Sequence, residues 1–238
     1  VAGVKALLLD LDDTLLDYSS CQDACWTASC SVVAEPAGVD PSALIAAIAE
    51  VRRWFWDDPG RHRAERTDMV GAWAKIAELG LARVGNYGDG LPRRIAEDFA
   101  ERRRAAERLF PDALATLDAL RGRGVPLALV TNGDARLQRG KIARHRLAPY
   151  FGVVVIEGEF GAGKPDAAVF RHALAGLGAD PVGTWMVGDH LVWDVDGAQR
   201  AGLRAAWIDR PGTGLPQGHP VQPERIIHTL DELLDLAR

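Results

Sequence analysis

Long apolar runs are missing from this chain of 238 residues. No stretch approaches the roughly 20 consecutive apolar residues that a membrane-spanning helix needs. Cysteine is scarce, and Cys21, Cys25 and Cys30 lie close together in the sequence. An odd number at these spacings builds neither a disulfide framework nor a zinc knuckle, so reduced, partly buried thiols are expected. An excess of positive charge is also lacking. The net charge of −5 argues against nucleic acid or an anionic membrane as the main partner. The N-terminal stretch has one lysine and a brief apolar run that leads straight into acids. That is unlike a secretory leader, and a cytoplasmic location is expected. No internal repeat or low-complexity tract is visible.

Hydrophobic residues make up 47% of the chain, which suits a packed globule. The length suits one large α/β domain or a core with a smaller insert. The most informative stretch is Asp10-Leu11-Asp12-Asp13-Thr14, directly after the apolar run Val4 to Leu9. Such a junction reads as a buried parallel strand that delivers acids to its carboxyl end, where open α/β sheets bind ligands. Two carboxylates two residues apart can serve one reaction centre, one as nucleophile and one as acid/base. By themselves these residues could equally be a turn and a helix N-cap.

From residue 111 onward, strand and helix patterns alternate. Strands are predicted at 126–131, 153–156, 184–187 and 204–208. Helices are predicted at 112–121, 135–146, 166–177, 195–201 and 230–237. Short apolar strands alternating with helices predict βαβ units and a parallel sheet, with all strand carboxyl ends on one edge. Residues 18–107 break the rhythm. They show helical patterns at 21–34, 41–56, 65–79 and 91–108, with loops at 57–61 and 85–90. The predicted organisation is therefore an α/β core made of residues 1–17 and 108–238, with an all-helical insertion at 18–107. The run Glu101-Arg102-Arg103-Arg104 reads as a solvated helix face.

Further strand ends or loops join the first. Thr131, followed by Asn132-Gly133, closes a core strand. Lys164 lies in the glycine-rich loop Gly161-Ala162-Gly163-Lys164-Pro165, and Asp189 and Asp194 follow the strand at 184–187. Singly, each has a plain structural explanation as turn residue, surface lysine or N-cap. Together they fall on one sheet edge. Asp10, Asp12, Asp189 and Asp194 with a single lysine would repel one another unless some stay protonated or a cation sits among them. No histidine or cysteine occupies the matching strand ends, so the donors are hard oxygens and Mg²⁺ is favoured over zinc. A divalent ion, a lysine, a hydroxyl and strand-end amides suit a phosphoryl group.

On these motifs the chain resembles the haloacid dehalogenase-like hydrolase superfamily, in the branch with a helical cap inserted after the first motif. The matching segments are Asp10-Leu-Asp12-Asp-Thr14, Thr131-Asn132-Gly133, Lys164-Pro165, and Gly188-Asp189 through Asp194 into Gly197-Ala198. The resemblance implies a Rossmann-like core, with Asp10 as the nucleophile that forms an aspartyl-phosphate and Asp12 as the general acid/base. It also implies that Thr131, Asn132 and Lys164 bind the phosphoryl group. Mg²⁺ would be held by Asp10, the Asp12 backbone carbonyl, Asp189 and Asp194, the last directly or through water. His190 stands where the family more often has a small hydroxyl residue, and is either a substrate contact or a loop residue. Family dehalogenases resemble this fold but lack an acid at the position of Asp12, so Asp12 implies phosphate chemistry. Family phosphonate hydrolases use a cap lysine, whereas Lys75 here sits on an ordinary helix-surface repeat.

The most individual part of the insertion runs from Arg52 to Arg63, with Arg66 beyond it. Trp54, Trp56, Arg63 and Arg66 are candidate contacts to a polar leaving group. The alternative is that the tryptophans pack the insertion's own core and the arginines are solvated. The leading expectation is a Mg²⁺-dependent phosphatase of a small phosphorylated metabolite (phosphoglycolate, a sugar phosphate or a nucleotide), a monomer or homodimer. The alternatives are a phosphosugar mutase of the same fold and a non-catalytic receiver-like phospho-switch.

Overall fold

The computed structural model describes residues 4–85 and 87–236. Two compact units make it up. Tyr18–Glu107 forms one, and the chain on either side, up to Asp17 and from Arg108, forms the other.

The discontinuous unit is a Rossmann-like α/β fold. Its strands are β1 (Ala6–Leu9), β2 (Leu16–Asp17), β3 (Arg108–Leu109), β4 (Leu127–Thr131), β5 (Val153–Ile156), β6 (Thr184–Gly188), β7 (Arg204–Ile208) and β8 (Arg225–Ile227). Six of them form one sheet in the order β5-β4-β1-β6-β7-β8, and every pair in it is parallel. β1 is central, and all four of its residues are buried. This is why its sequence is an uninterrupted apolar run rather than an alternating one. On one face of the sheet, Leu8, Val130, Val155 and Met186 pack with Val169, Phe170 and Ala173 of the helix Ala167–Leu177 and with Val195 and Ala198.

The predicted strand and helix alternation is present, with differences at the edges. β8 is a short edge strand beside β7 that the sequence reading missed. The first helix of this unit begins at Ala113, with Asp112 as the residue before it. The helix Ala167–Leu177 is capped by Asp166, whose carboxylate accepts from Ala168 N at 2.9 Å. The segment after β6 starts earlier than predicted, as a wide π-helical turn over Leu191–Asp196 that runs into Gly197–Arg200. The C-terminal helix is Leu233–Leu236 after a 3₁₀ turn; its predicted end at Ala237 lies outside the described residues. β2 and β3 form a separate antiparallel pair where the chain leaves and re-enters this unit, tied by Arg108 Nη2 to Asp17 Oδ2 at 2.9 Å.

Among the described residues the second unit contains helices and no strand. Its helices are Gln22–Ser29, continued by a π-helical stretch Cys30–Ala34, then Pro41–Asp57, Pro59–Glu65, Met69–Val84 and Leu91–Ala106. Trp26 stacks on Phe99 at 4.0 Å, and Trp73 meets the same ring edge-on at 5.0 Å. Burial pushes the Cys25 thiol up to about 11 and the Cys30 thiol up to about 12, so both stay un-ionised at neutral pH. The expected loop at 57–61 is instead helical from Pro59. Asp58 caps that turn by accepting from Arg61 N at 2.6 Å, and proline suits the first helical position. The next helix begins at Met69 rather than Glu65, because Asp68 interrupts the run and caps it through Gly71 N at 3.0 Å.

Candidate active site

Register alone brings the strand-end residues together. Leu9 pairs with Leu129 on one side and Val187 on the other. Asp10, Thr131 and Gly188-Asp189 therefore emerge at one sheet edge, and Asp10 N still donates to Val187 O at 2.9 Å. Beyond β1 the chain turns sharply through Asp13, whose φ of 56° is left-handed, a region that Asp tolerates better than most residues.

Lys164 is buried at this edge and reaches two carboxylates. Its Nζ lies 2.5 Å from Asp10 Oδ1 and 2.6 Å from Asp194 Oδ1. Its backbone is fixed by Asn132, which donates through Nδ2 to Lys164 O at 2.8 Å and accepts from Lys164 N at 2.7 Å. The Asn132 side chain is thus spent on placing the lysine loop. Glu157 braces the neighbouring turn by accepting from Gly133 N at 2.9 Å. Asp194 is held from the other side, its Oδ2 accepting from His190 N at 2.9 Å. It packs so closely over Gly188 that a β-carbon there would lie 2.3 Å from its carboxylate carbon. Gly188 is therefore required by close approach.

His190 itself is a cap. Its Nδ1 accepts from Val192 N and Trp193 N at 3.2 Å each, and its ring stacks on Trp193 at 3.7 Å. The carbonyl of Asp189 is fixed by Trp207 Nε1 at 2.7 Å.

The electrostatics are unbalanced. Burial, with Asp194 and Asp12 nearby, pushes Asp10 up to about 7 despite the opposing pull of Lys164. Burial, with Asp10, Asp194 and Asp13, raises Asp189 well above the usual carboxylate range. Burial alone would lower Lys164, but Asp10 and Asp194 outweigh it, and the ammonium is held charged. One oxygen from each of Asp10, Asp189 and Asp194 lies within 4.8 Å of the others. Three carboxylates around one ammonium call for further positive charge, and an all-oxygen donor set suits a hard divalent ion such as Mg²⁺. The residues present fit such an ion.

The structure adds two residues that the sequence reading passed over. Lys141 Nζ lies 2.7 Å from both oxygens of Asp12. Gln138 Nε2 contacts Asp12 Oδ2 at 3.0 Å and Thr131 Oγ1 at 2.6 Å. Both side chains are buried on the helix Ala135–Arg144. Polar residues at i and i+3 beside Ile142, where apolar ones were due, are the signal that marks them.

In the helical unit, Trp54 is exposed, with the Arg61 guanidinium 3.8 Å above its ring. Trp56 is half-buried and lines an open cavity of about 320 Å³ with Gln22, Asp23, Ala49, Arg52 and Arg53. Arg63 is exposed, whereas Arg66 is buried and partnered. Lys75 is spent on an exposed ion pair with Glu65 at 2.7 Å.

A family model described as haloacid dehalogenase-like hydrolase matches residues 4–202. The chain belongs to the haloacid dehalogenase-like hydrolase family. It is an enzyme of that family, a hydrolase, and curated relatives carry phosphatase names. The phosphoserine phosphatase of Thermus thermophilus is 35% identical over 97% of this chain and 98% of its own length. Among solved structures, the magnesium-bound HAD-hydrolase YfnB of Bacillus subtilis superposes with a TM-score of 0.76 at 21% identity, covering all of both chains, which bears on the fold. The 2-haloacid dehalogenase of Pseudomonas syringae superposes with a TM-score of 0.68 at 28% identity, over 98% of this chain and 97% of that one.

Proposed function

We propose that this hydrolase is a Mg²⁺-dependent phosphatase that cleaves a small phosphorylated metabolite through an aspartyl-phosphate on Asp10. The observation that carries the reading is the convergence of Asp10, Lys164, Asp189 and Asp194 at one sheet edge, with a second acid, Asp12, two residues after the first. A dehalogenase needs no acid to protonate its leaving group, so Asp12 favours phosphate ester cleavage over the chemistry named for the Pseudomonas relative.

In this reading a carboxylate oxygen of Asp10 attacks phosphorus, and the bond from phosphorus to the leaving oxygen breaks. Asp12, as the acid, donates its proton to that oxygen, and the alcohol departs. Asp12, now a carboxylate, takes a proton from water. The resulting hydroxide attacks phosphorus, releasing inorganic phosphate and restoring Asp10. Lys164 and the Thr131 hydroxyl hold the phosphoryl oxygens, while Asn132 acts through the lysine loop. Mg²⁺, held by Asp10, Asp189, Asp194 and the Asp12 backbone carbonyl, would supply charge neutralisation on the phosphoryl oxygens. Division among several groups is expected, since phosphate-monoester hydrolysis shows the largest known enzymatic accelerations, up to about 10²¹-fold, and positioning and electrostatics must share the task. The helical unit is proposed as a cap that excludes water, with Trp56 and Arg63 as contacts to the leaving group. The name of the Thermus relative, phosphoserine phosphatase, supports trying amino-acid phosphates early in a substrate panel.

Incubation with 4-nitrophenyl phosphate and Mg²⁺ tests the reading. Sustained, Mg²⁺-dependent release of inorganic phosphate is the expected result. A single stoichiometric burst would point to a phospho-switch, and no phosphate release from a panel of phosphate esters would refute the proposal.

A further inference from the structure

Gln138 and Lys141 are three residues apart on the helix Ala135–Arg144, so they share a face. That face is buried, with 2% of Gln138 and 5% of Lys141 exposed. Lysine is almost never this buried without a specific partner. Here the partner is Asp12, on the segment that follows β1.

The contacts are unequal on the two carboxylate oxygens. Lys141 Nζ is equidistant from both, while the Gln138 amide reaches Oδ2. Oδ2 thus takes two donors and Oδ1 one, which leaves Oδ1 with more capacity to exchange a proton with a leaving group or water. The same amide nitrogen, its two protons shared among three acceptors, also lies 2.6 Å from Thr131 Oγ1 and 3.0 Å from Asn132 O. A lone pair of the threonine oxygen is thereby occupied. Its own proton meets Asn132 O at a long 3.3 Å, well beyond the usual O–H···O distance of about 2.7–2.8 Å. That proton can turn toward an incoming acceptor at little cost.

We infer that Lys141 and Gln138 are positioning residues: together they hold the Asp12 carboxylate in the orientation from which it serves the leaving oxygen, and they direct the Thr131 hydroxyl toward the phosphoryl group. The inference rests on the phosphatase reading above, in which Asp12 is the acid/base. In this reading both act through Asp12 and Thr131 rather than on phosphorus or the leaving oxygen. Their effect reaches the chemistry by fixing two side chains from different strand ends to one helix, and a misplacement of about 1 Å in such a site can cost on the order of 100-fold.

The test compares wild type, Lys141→Met, Asp12→Asn and the double variant on phenyl phosphate and 4-nitrophenyl phosphate with saturating Mg²⁺. Lys141→Met should lower kcat on phenyl phosphate by about 10- to 100-fold at nearly constant KM. The loss should be smaller on 4-nitrophenyl phosphate, whose leaving group needs less proton transfer. Lys141→Arg should recover part of the rate. In the Asp12→Asn background the methionine should cost less than about twofold, because residues acting through one another are not additive. Mg²⁺ affinity, titrated by calorimetry without substrate, should be unchanged. Gln138→Met keeps the Lys141–Asp12 ion pair and should show the same leaving-group dependence, so it decides the matter if Lys141→Met fails to fold. A folded Lys141→Met protein with wild-type kcat on phenyl phosphate overturns the inference. So does an equal fractional loss in the wild-type and Asp12→Asn backgrounds. If Asp12→Asn is itself fully active, the acid/base reading falls and the inference with it. If Asp12→Asn is impaired while Lys141→Met is not, the inference falls alone.

Discussion

Asp10→Asn should abolish turnover and, in the metal-free protein, gain thermal stability relative to the wild type as pH rises from 4.5 to 8. The first effect follows because an amide cannot form the acyl-phosphate. The second comes from electrostatics. Burial, reinforced by Asp194 and Asp12, moves Asp10 from its ordinary 3.8 up to about 7 even with Lys164 beside it. The folded state therefore binds this proton more tightly than the unfolded chain does. Stability from that difference is fully present below pH 3.8 and is lost as pH rises through 7. The gap, at about 1.4 kcal/mol per pH unit, corresponds to about 4 kcal/mol. Asparagine does not titrate, so the variant avoids the loss. For a chain of this length about 2–4 °C accompanies each kcal/mol, which makes roughly 10 °C the expected gain at pH 8 relative to the difference at pH 4.5. Thermal melts followed by tryptophan fluorescence in the presence of a chelator would measure it. Mg²⁺ should narrow the gap at pH 8 by stabilising the wild type. A difference between the two proteins that does not change with pH would refute the reasoning.

Other outcomes follow from the same geometry. Gly188→Ala would drive a β-carbon into the Asp194 carboxylate; it should cost about 1–3 kcal/mol and weaken Mg²⁺ binding, read by melting and by calorimetry. Asp12→Ala should slow turnover by roughly 10²- to 10⁴-fold and leave Mg²⁺ affinity largely intact, with the smallest loss on nitrophenyl esters in steady-state assays. Arg66→Ala removes a buried, partnered charge and should cost about 1.5–3 kcal/mol in a melt. Arg63→Ala, at an exposed position, should shift stability by less than about 0.5 kcal/mol; any kinetic effect should appear as a raised KM for the cognate substrate and not for an aryl phosphate.

The core was legible in the sequence because parallel strands buried on both faces cannot alternate, so β1, β4 and β6 read as unbroken apolar runs closed by polar residues. Where those runs end, Asp10, Thr131 and Asp189 fall together in the structure. β8 was not legible, since three residues with one arginine carry too little pattern at a sheet edge. At Pro59 the sequence predicts a loop because Asp-Pro-Gly punctuates, whereas in the structure the Asp58 carboxylate and Pro59 start a helix. Lys141 and Gln138 interrupt the apolar face of their helix, which marks them as unusual, but the acid that draws them inward is more than 120 residues away in sequence, so no local pattern carries the pairing. His190 shows the converse: an unusual residue in a motif proved to be a cap for its own turn.

The pairing of β1 with β4 and β6 also sets the order of events during synthesis. Among the described strands β1 is made before the others and sits at the centre of the sheet, yet its neighbours begin about 120 and 180 residues later. At a translation rate of roughly 5–20 residues per second, the Ala6–Leu9 run waits on the order of ten seconds or more for a partner. The whole helical unit, Tyr18–Glu107, which is compact by itself, leaves the ribosome in that interval. An apolar strand held unpaired that long is a natural client for a chaperone that shields nascent chains. The nascent protein should therefore be most prone to aggregate between completion of the helical unit and emergence of β4.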